Sequence, residues 1–382
     1  GKADLYIPFF QIALESLRPN GVMGYITVNN FYRSINGREL RKYLSRHEFQ
    51  MKIFDFGSEQ VFKGRSTYTC VCIIRNSEGT IAYIKSNSFE LEKEEKSNFL
   101  DIAYNGLDDI KGWLLSDKAN VIDNIKKIES TGTSLGDFVS IKNGFATLKN
   151  DIYVFTPYSE DESYYYLKKN SKDYLIEKTI CRNAVKPNTL DERLTLDSQM
   201  EKLIFPYIQD EGQVVLMSED YLQTNYPRAY AYLTDYKKDL AQRDKGNRQY
   251  QGWYAYGRTQ ALNIKGYRLF FPYLASKPIF ILSDDQELMF YNGYALVSDD
   301  LEQLRFLQKI LCSKVFWYYI KNSSKPYGGE YMSLAKNYVK NFGIINMSPR
   351  QRMIFMELTE QKEIDEYLSN LYKLKAAISL YT

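Results

Sequence analysis

Histidine is nearly absent: His47 is the single one in 382 residues. A His-based catalytic triad would have to use it, and its polar setting, Ser45-Arg46-His47-Glu48, reads as a solvated helix end. Cysteine is scarce too. Cys70, Cys72, Cys181 and Cys312 form no Cys-x-x-Cys pair and no Cys/His cluster, which argues against structural zinc and for a reducing compartment. No apolar run approaches the roughly 18 residues of a membrane helix. No signal-peptide pattern is read at the start of the sequence, and the first methionine is Met23. The leading Gly1-Lys2 looks like a tag scar, so the expectation is a chain cut from a longer protein. No glycine-rich loop follows a strand at a helix start.

Charge of either sign is not in excess, with 50 Lys and Arg against 47 Asp and Glu. A net charge of +3 does not by itself announce a nucleic-acid binder. The charges are unevenly spread, however. Glu90 to Glu95 is acidic, whereas Ala241 to Arg268 is basic, with Arg243, Lys245, Arg248, Arg258, Lys265 and Arg268 against the lone Asp244. Tyrosine is abundant at 34 residues. It offers a flat face for stacking and a hydroxyl for polar partners.

Length and a hydrophobic content of 44% leave room for two domains with proper cores. Helical spacing of Leu5, Phe9, Ile12, Ala13 and Leu17 predicts a helix capped by Asp4, with that stripe inward. Arg18-Pro19-Asn20-Gly21 is a turn in which Asn-Gly accepts positive φ. Val22–Val28 is a nearly continuous apolar run, the pattern of a strand covered on both faces. A helix with Leu40, Tyr43 and Leu44 inward leads to a second strand, Met51–Phe56, completing a parallel unit. Tyr68–Ile74 follows without an intervening helix, so an antiparallel strand is expected. Residues 101–130 read as a polar helical connector. From Ser134 the texture changes to short strands rich in Tyr, Gly and Asn, such as Lys202–Ile208, Arg268–Tyr273 and Pro278–Leu282. Leu301–Ile320 and Arg352–Leu374 close the chain as amphipathic helices.

The order and spacing of Leu5-Tyr6, Phe9, Leu17-Arg18-Pro19-Asn20-Gly21 and Val61-Phe62 resemble the TaqI-like adenine-specific DNA methyltransferases, in the part that follows their Asn-Pro-Pro-Tyr motif. The resemblance continues, more weakly, through Leu135-Gly136-Asp137-Phe138, Cys181-Arg182-Asn183-Ala184-Val185-Lys186-Pro187 and Tyr331-Met332-Ser333-Leu334. It implies an α/β fold: the C-terminal part of a Rossmann-like methyltransferase sheet over residues 1–115, then a mixed α+β target-recognition domain over 116–382. It also implies a site-specific N6-adenine methyltransferase of a bacterial restriction-modification system. Such an enzyme is cytoplasmic and monomeric, uses S-adenosylmethionine and has double-stranded DNA as its partner. The Asn-Pro-Pro-Tyr motif is absent from this chain, so the chain alone is expected neither to hold the cofactor nor to methylate.

Under that resemblance Phe62 stacks on an adenine rotated out of the duplex, where an aromatic face compensates the lost stacking. Phe9 matches an aromatic near the cofactor's adenine, although it also sits on the helix's apolar stripe. Lys63 and Arg65 flank Phe62 and could hold phosphates. In the second domain Arg243, Arg248, Tyr256, Arg258 and Gln260 interleave cations with residues suited to base edges. Lys142 and Asn143, Arg182 and Asn183, and Lys325 are further DNA-contact candidates. The bland alternative for each is a core anchor or a solvated loop. Two other functions stay open: a stand-alone DNA specificity module without catalysis, and a tyrosine-rich surface that binds protein or sugar.

Overall fold

The computed structural model describes residues 4–62, 64–65, 67–87, 99–259, 261–328 and 330–375. Lys63, Gln260 and the acidic run Glu90–Glu95 lie outside the described residues. The chain forms two compact units. One comprises Gly1–Leu135, Leu274–Lys277 and Ser313–Thr382, the other Gly136–Tyr273 and Pro278–Cys312. The division at residue 115 read from sequence therefore differs from the compact units. The helix Ala119–Glu129 packs with Lys314–Ser323, and that interaction draws the chain's closing segment back to the first unit.

The first unit is built on a five-stranded mixed sheet. Its strands are β1 (Val22–Val28), β2 (Phe49–Asp55), β3 (Thr69–Glu78), β4 (Ile81–Lys85) and β5 (Leu100–Ile102), in the spatial order β1-β3-β2-β4-β5. β3 is antiparallel to both neighbours and β4 is parallel to β2, so β1, β2 and β4 all run one way. The antiparallel strand expected after the parallel pair is present. It lies between β1 and β2 rather than beside them, with Cys72 opposite both Tyr25 and Ile53. The turn before β1 forms as its sequence demands, with Asn20 at φ 60°.

β1 is not covered on both faces as its apolar run suggested. It pairs with β3 alone among the described residues, and Val22 and Ile26 stay about half exposed. The helix before it, α1 (Tyr6–Glu15), turns Phe10 and Leu14 into the core instead of the Leu5, Phe9 and Ile12 stripe, which is exposed. Phe10 meets the rings of Tyr25 and Phe31 at 4.8 and 5.3 Å between centroids, and this aromatic contact fixes which face is inward. Asp4 makes no side-chain cap. The helix α2 (Arg38–His47) buries Leu40 and Leu44 as expected.

Residues 101–130 are α-helical only from Ala119 to Glu129, with a single 3-10 turn at Tyr104–Gly106, and the stretch between them anchors Trp113 in the core. The segment Leu301–Ile320 is two helices, Leu301–Leu311 and Lys314–Ser323. It breaks where the Ser313 hydroxyl accepts from the Phe316 N–H to cap the second. The last predicted helix is likewise two, Pro349–Glu357 behind a Ser348/Gln351 capping box and Gln361–Tyr372.

The second unit holds small sheets and short helices around a tyrosine-rich core. One four-stranded sheet runs Met289–Phe290, Cys181–Val185, Glu201–Ile204, Val154–Phe155; another runs Ile281–Ser283, Tyr267–Phe271, Tyr294–Ser298, Ser140–Asn143. Buried tyrosine hydroxyls donate to backbone carbonyls: Tyr153 to Tyr254, Tyr232 to Ile152 and Tyr254 to Met217, at 2.6–2.8 Å. Much of the tyrosine surplus is therefore core cement. Among the described residues no helix is long and apolar enough to cross a membrane.

Candidate active-site cleft

A cleft of about 1100 Å³ opens in the first unit where three parallel strands end. Asn29 and Asn30 follow β1, Phe56 to Ser58 follow β2, and Ser86 and Asn87 follow β4; all line it. In open α/β sheets, ligand sites form outside the carboxyl ends of parallel strands, because the loops there can vary without disturbing the sheet. Lys85, Lys118, Lys321 and Lys325 bring positive charge to the lining, against Glu59, Asp117 and Glu330.

The floor of the cleft is a buried carboxylate. Asp55 closes β2 and is 3% exposed. One of its oxygens accepts from Asn29 Nδ2 at 2.8 Å and from the Gly57 N–H at 2.9 Å. The other accepts from the hydroxyls of Tyr83, at 2.6 Å, and Tyr32. Four donors on one carboxylate compensate for its loss of water. Burial first, and then the Asp55 charge, push both tyrosine hydroxyls well above their usual acidity range, so both remain donors. The Arg33 guanidinium lies 5.6 Å from the Tyr32 ring centroid and donates to the carbonyls of Ser324 and Asn322, at 2.6 and 3.2 Å. Sequence reading passed over Asp55, Asn29, Tyr32 and Tyr83. The available signal was a charged residue ending the apolar strand Ile53-Phe54-Asp55 just before Phe56-Gly57.

The predicted site residues fall in several places. Phe62 lies on the loop that leaves the cleft after Glu59 and is 47% exposed. Arg65 is exposed on the same loop, and its N–H donates to the Phe62 carbonyl. Lys325 lines the cleft with its ammonium 4.8 Å from the Tyr327 ring centroid. Phe9 is not brought to the cleft; it stands 53% exposed on α1.

In the second unit Lys142, Asn143, Arg182, Asn183 and Arg248 are exposed. The Asn183 side-chain oxygen accepts from Lys202 at 2.7 Å, and Arg182 sits 5.7 Å from the Phe205 ring centroid. Two candidates are corrected. Tyr256 is 2% exposed, and its hydroxyl donates to the Ile204 carbonyl, so neither ring nor hydroxyl is free for DNA. Arg243 is 3% exposed and donates to the carbonyls of Leu240, Trp253 and Ala255; it braces the loop from beneath. Arg258 is partly exposed but paired with Asp244 at 3.1 Å.

Residues 1–62 match the family model of the Eco57I restriction-modification methylase. The chain is 27% identical over 276 residues to the type II restriction enzyme and methyltransferase RM.Eco57I of Escherichia coli, covering 68% of this chain and 27% of that protein. It is 22% identical to the type II methyltransferase M.XhoI of Xanthomonas vasicola, covering 90% of this chain and 62% of that one. Its relatives are type II restriction-modification methyltransferases. The chain spans about a quarter to two thirds of the length of these curated proteins. The solved structure of the type IIL restriction-modification enzyme MmeI, in complex with DNA, shares the fold at a TM-score of 0.57 and 10% identity. That likeness covers 98% of this chain and 50% of that one.

Proposed function

We propose that this chain is the C-terminal portion of a site-specific N6-adenine DNA methyltransferase from a restriction-modification system. The first unit carries the end of the Rossmann-like catalytic sheet, and the second carries target recognition. The observation that bears this reading is the cleft at the carboxyl ends of β1, β2 and β4, with Phe62 exposed on the loop rising from it. The exposed apolar residues of β1 (Val22, Ile26) and of α1 with its N-cap (Leu5, Phe9, Ile12) support continuation of the sheet by strands from elsewhere in the protein.

Adenine N6 is held inside a duplex by pairing and stacking, so the base must leave the helix before it can react. Phe62 gives the extruded ring a face to lie on. Lys325 and Arg65 hold phosphates near the displaced nucleotide. S-adenosylmethionine, when bound, supplies the electrophilic methyl group. Arg248, Lys142, Asn143, Arg182 and Asn183 are the exposed residues of the second unit suited to phosphates and base edges.

The test uses the full-length protein, a target duplex and labelled S-adenosylmethionine, followed by digestion to nucleosides. Label in N6-methyladenine supports the reading; label in a methylated cytosine, or none, overturns it. Phe62→Ala lowers transfer by more than about tenfold, while stability moves by only about 0.5 kcal/mol because the ring is half in water. A chain acting purely as a DNA-reading module gives steeply salt-dependent binding without transfer in any length of the protein.

A further inference from the structure

Asn29 touches the cleft's aromatic loop at both of its ends. Its backbone N–H donates to the Tyr68 carbonyl at 3.0 Å, where the loop 56–68 rejoins the sheet. Its side-chain amide donates to the Gly57 carbonyl at 2.7 Å, where the loop departs, and to Asp55 at 2.8 Å. Asp55 in turn accepts the Gly57 N–H. Both polar atoms of Gly57 are thus held, and its φ of +59° is a conformation that glycine adopts without a side-chain penalty. Asn29 and Asp55 are both under a tenth exposed, so these bonds do not compete with bulk water.

We propose that Asn29 and Asp55 are positioning residues that clamp the loop 56–68 and so fix where Phe62 presents its ring. The inference rests on the base-stacking role given to Phe62 above. Neither residue touches substrate in this account; each acts through the Gly57 peptide. Tyr32 and Tyr83 complete the clamp by holding the Asp55 carboxylate in the orientation that receives Asn29 and Gly57. A side chain an ångström out of place can forfeit about a hundredfold in rate, so a loose clamp is felt at the chemical step.

The experiment is a double-variant cycle in the full-length protein, read by single-turnover methyl transfer and, separately, by duplex Kd. Asn29→Asp keeps the shape but removes the donor, setting an oxygen against Asp55 and the Gly57 carbonyl. It slows transfer by about ten- to a hundredfold, with duplex Kd changed by less than about threefold. If Asn29 acts through Phe62, Asn29→Asp/Phe62→Ala is slower than Phe62→Ala by no more than about threefold. Losses that multiply in the double variant, a wild-type rate for Asn29→Asp, or a Kd loss as large as the rate loss each overturn the clamp. Should charge repulsion unfold Asn29→Asp, the same cycle with the uncharged Asn29→Ala decides the question. A slow Phe62→Ala beside a normal Asn29→Asp sinks the positioning claim alone. A normal Phe62→Ala sinks the stacking role and this inference together.

Discussion

Arg243 and Arg248 lie five positions apart in the basic run, and the structure places one in the core and the other on the surface. Arg243 is 3% exposed. Its Nε donates to the Leu240 carbonyl at 2.7 Å, one terminal nitrogen to Trp253 at 2.6 Å, and the other to Ala255. Its guanidinium also stacks over Tyr250, 4.4 Å from the ring centroid. Arg243→Ala leaves three carbonyls without their donor, each worth about 1–3 kcal/mol when left unsatisfied in the interior. Some water enters the vacated space, so the expected loss is about 3–5 kcal/mol. Arg243→Lys does not rescue it, since one ammonium cannot span three carbonyls set for a planar fork. Arg248 is exposed, and Arg248→Ala should change stability by no more than about 0.5 kcal/mol. If it meets a phosphate, its loss lowers the slope of log affinity against log salt by about 0.9. Urea unfolding and duplex titrations at several salt concentrations measure both. Arg243→Ala that folds within about 1 kcal/mol of wild type and weakens DNA binding would refute the reasoning, because it would make Arg243 a contact after all.

Two further outcomes follow from the packing. Burial, opposed by the hydrogen bond from Tyr319, raises the Glu129 carboxyl above its ordinary 4.5. Its contribution to stability is therefore present below 4.5 and lost as pH rises through the higher folded value, leaving the charged form a cost at neutrality. Glu129→Gln keeps an acceptor for Tyr319 and should raise the thermal midpoint at pH 7, with the gain shrinking on acidification; an unchanged or lower midpoint contradicts the burial argument. Gly144→Ala would set a Cβ 2.3 Å from the Phe290 carbonyl oxygen, so it should cost about 2 kcal/mol or more by denaturant unfolding. A neutral result would mean that the Phe290 backbone yields freely.

The strands β1, β2 and β3 and the antiparallel sense of β3 were legible because apolar runs of the right length are bounded by turn residues. The exposure of Phe62 was not legible from its neighbours, which left a loop anchored in the core the simpler reading; only the family resemblance pointed to a free ring. The inward face of α1 was not legible either. That helix is apolar on two sides, and spacing alone cannot say whether Phe9 or Phe10 faces the sheet. Tyr256 and Arg243 were misplaced for a related reason: a cation or a phenol is buried when backbone carbonyls from elsewhere converge on it, and no local pattern records that. The Asp55 knot escaped notice because Asn29, Tyr32 and Tyr83 lie 26, 23 and 28 positions away in sequence.

The most direct check on the account places 2-aminopurine at the target position of a duplex and follows its fluorescence lifetimes with the full-length protein. Binding should remove the fluorophore from the base stack, and Phe62→Ala should lengthen its lifetime further by taking away the ring that quenches it. Lifetimes equal to those of free duplex, or identical for wild type and Phe62→Ala, would contradict the account.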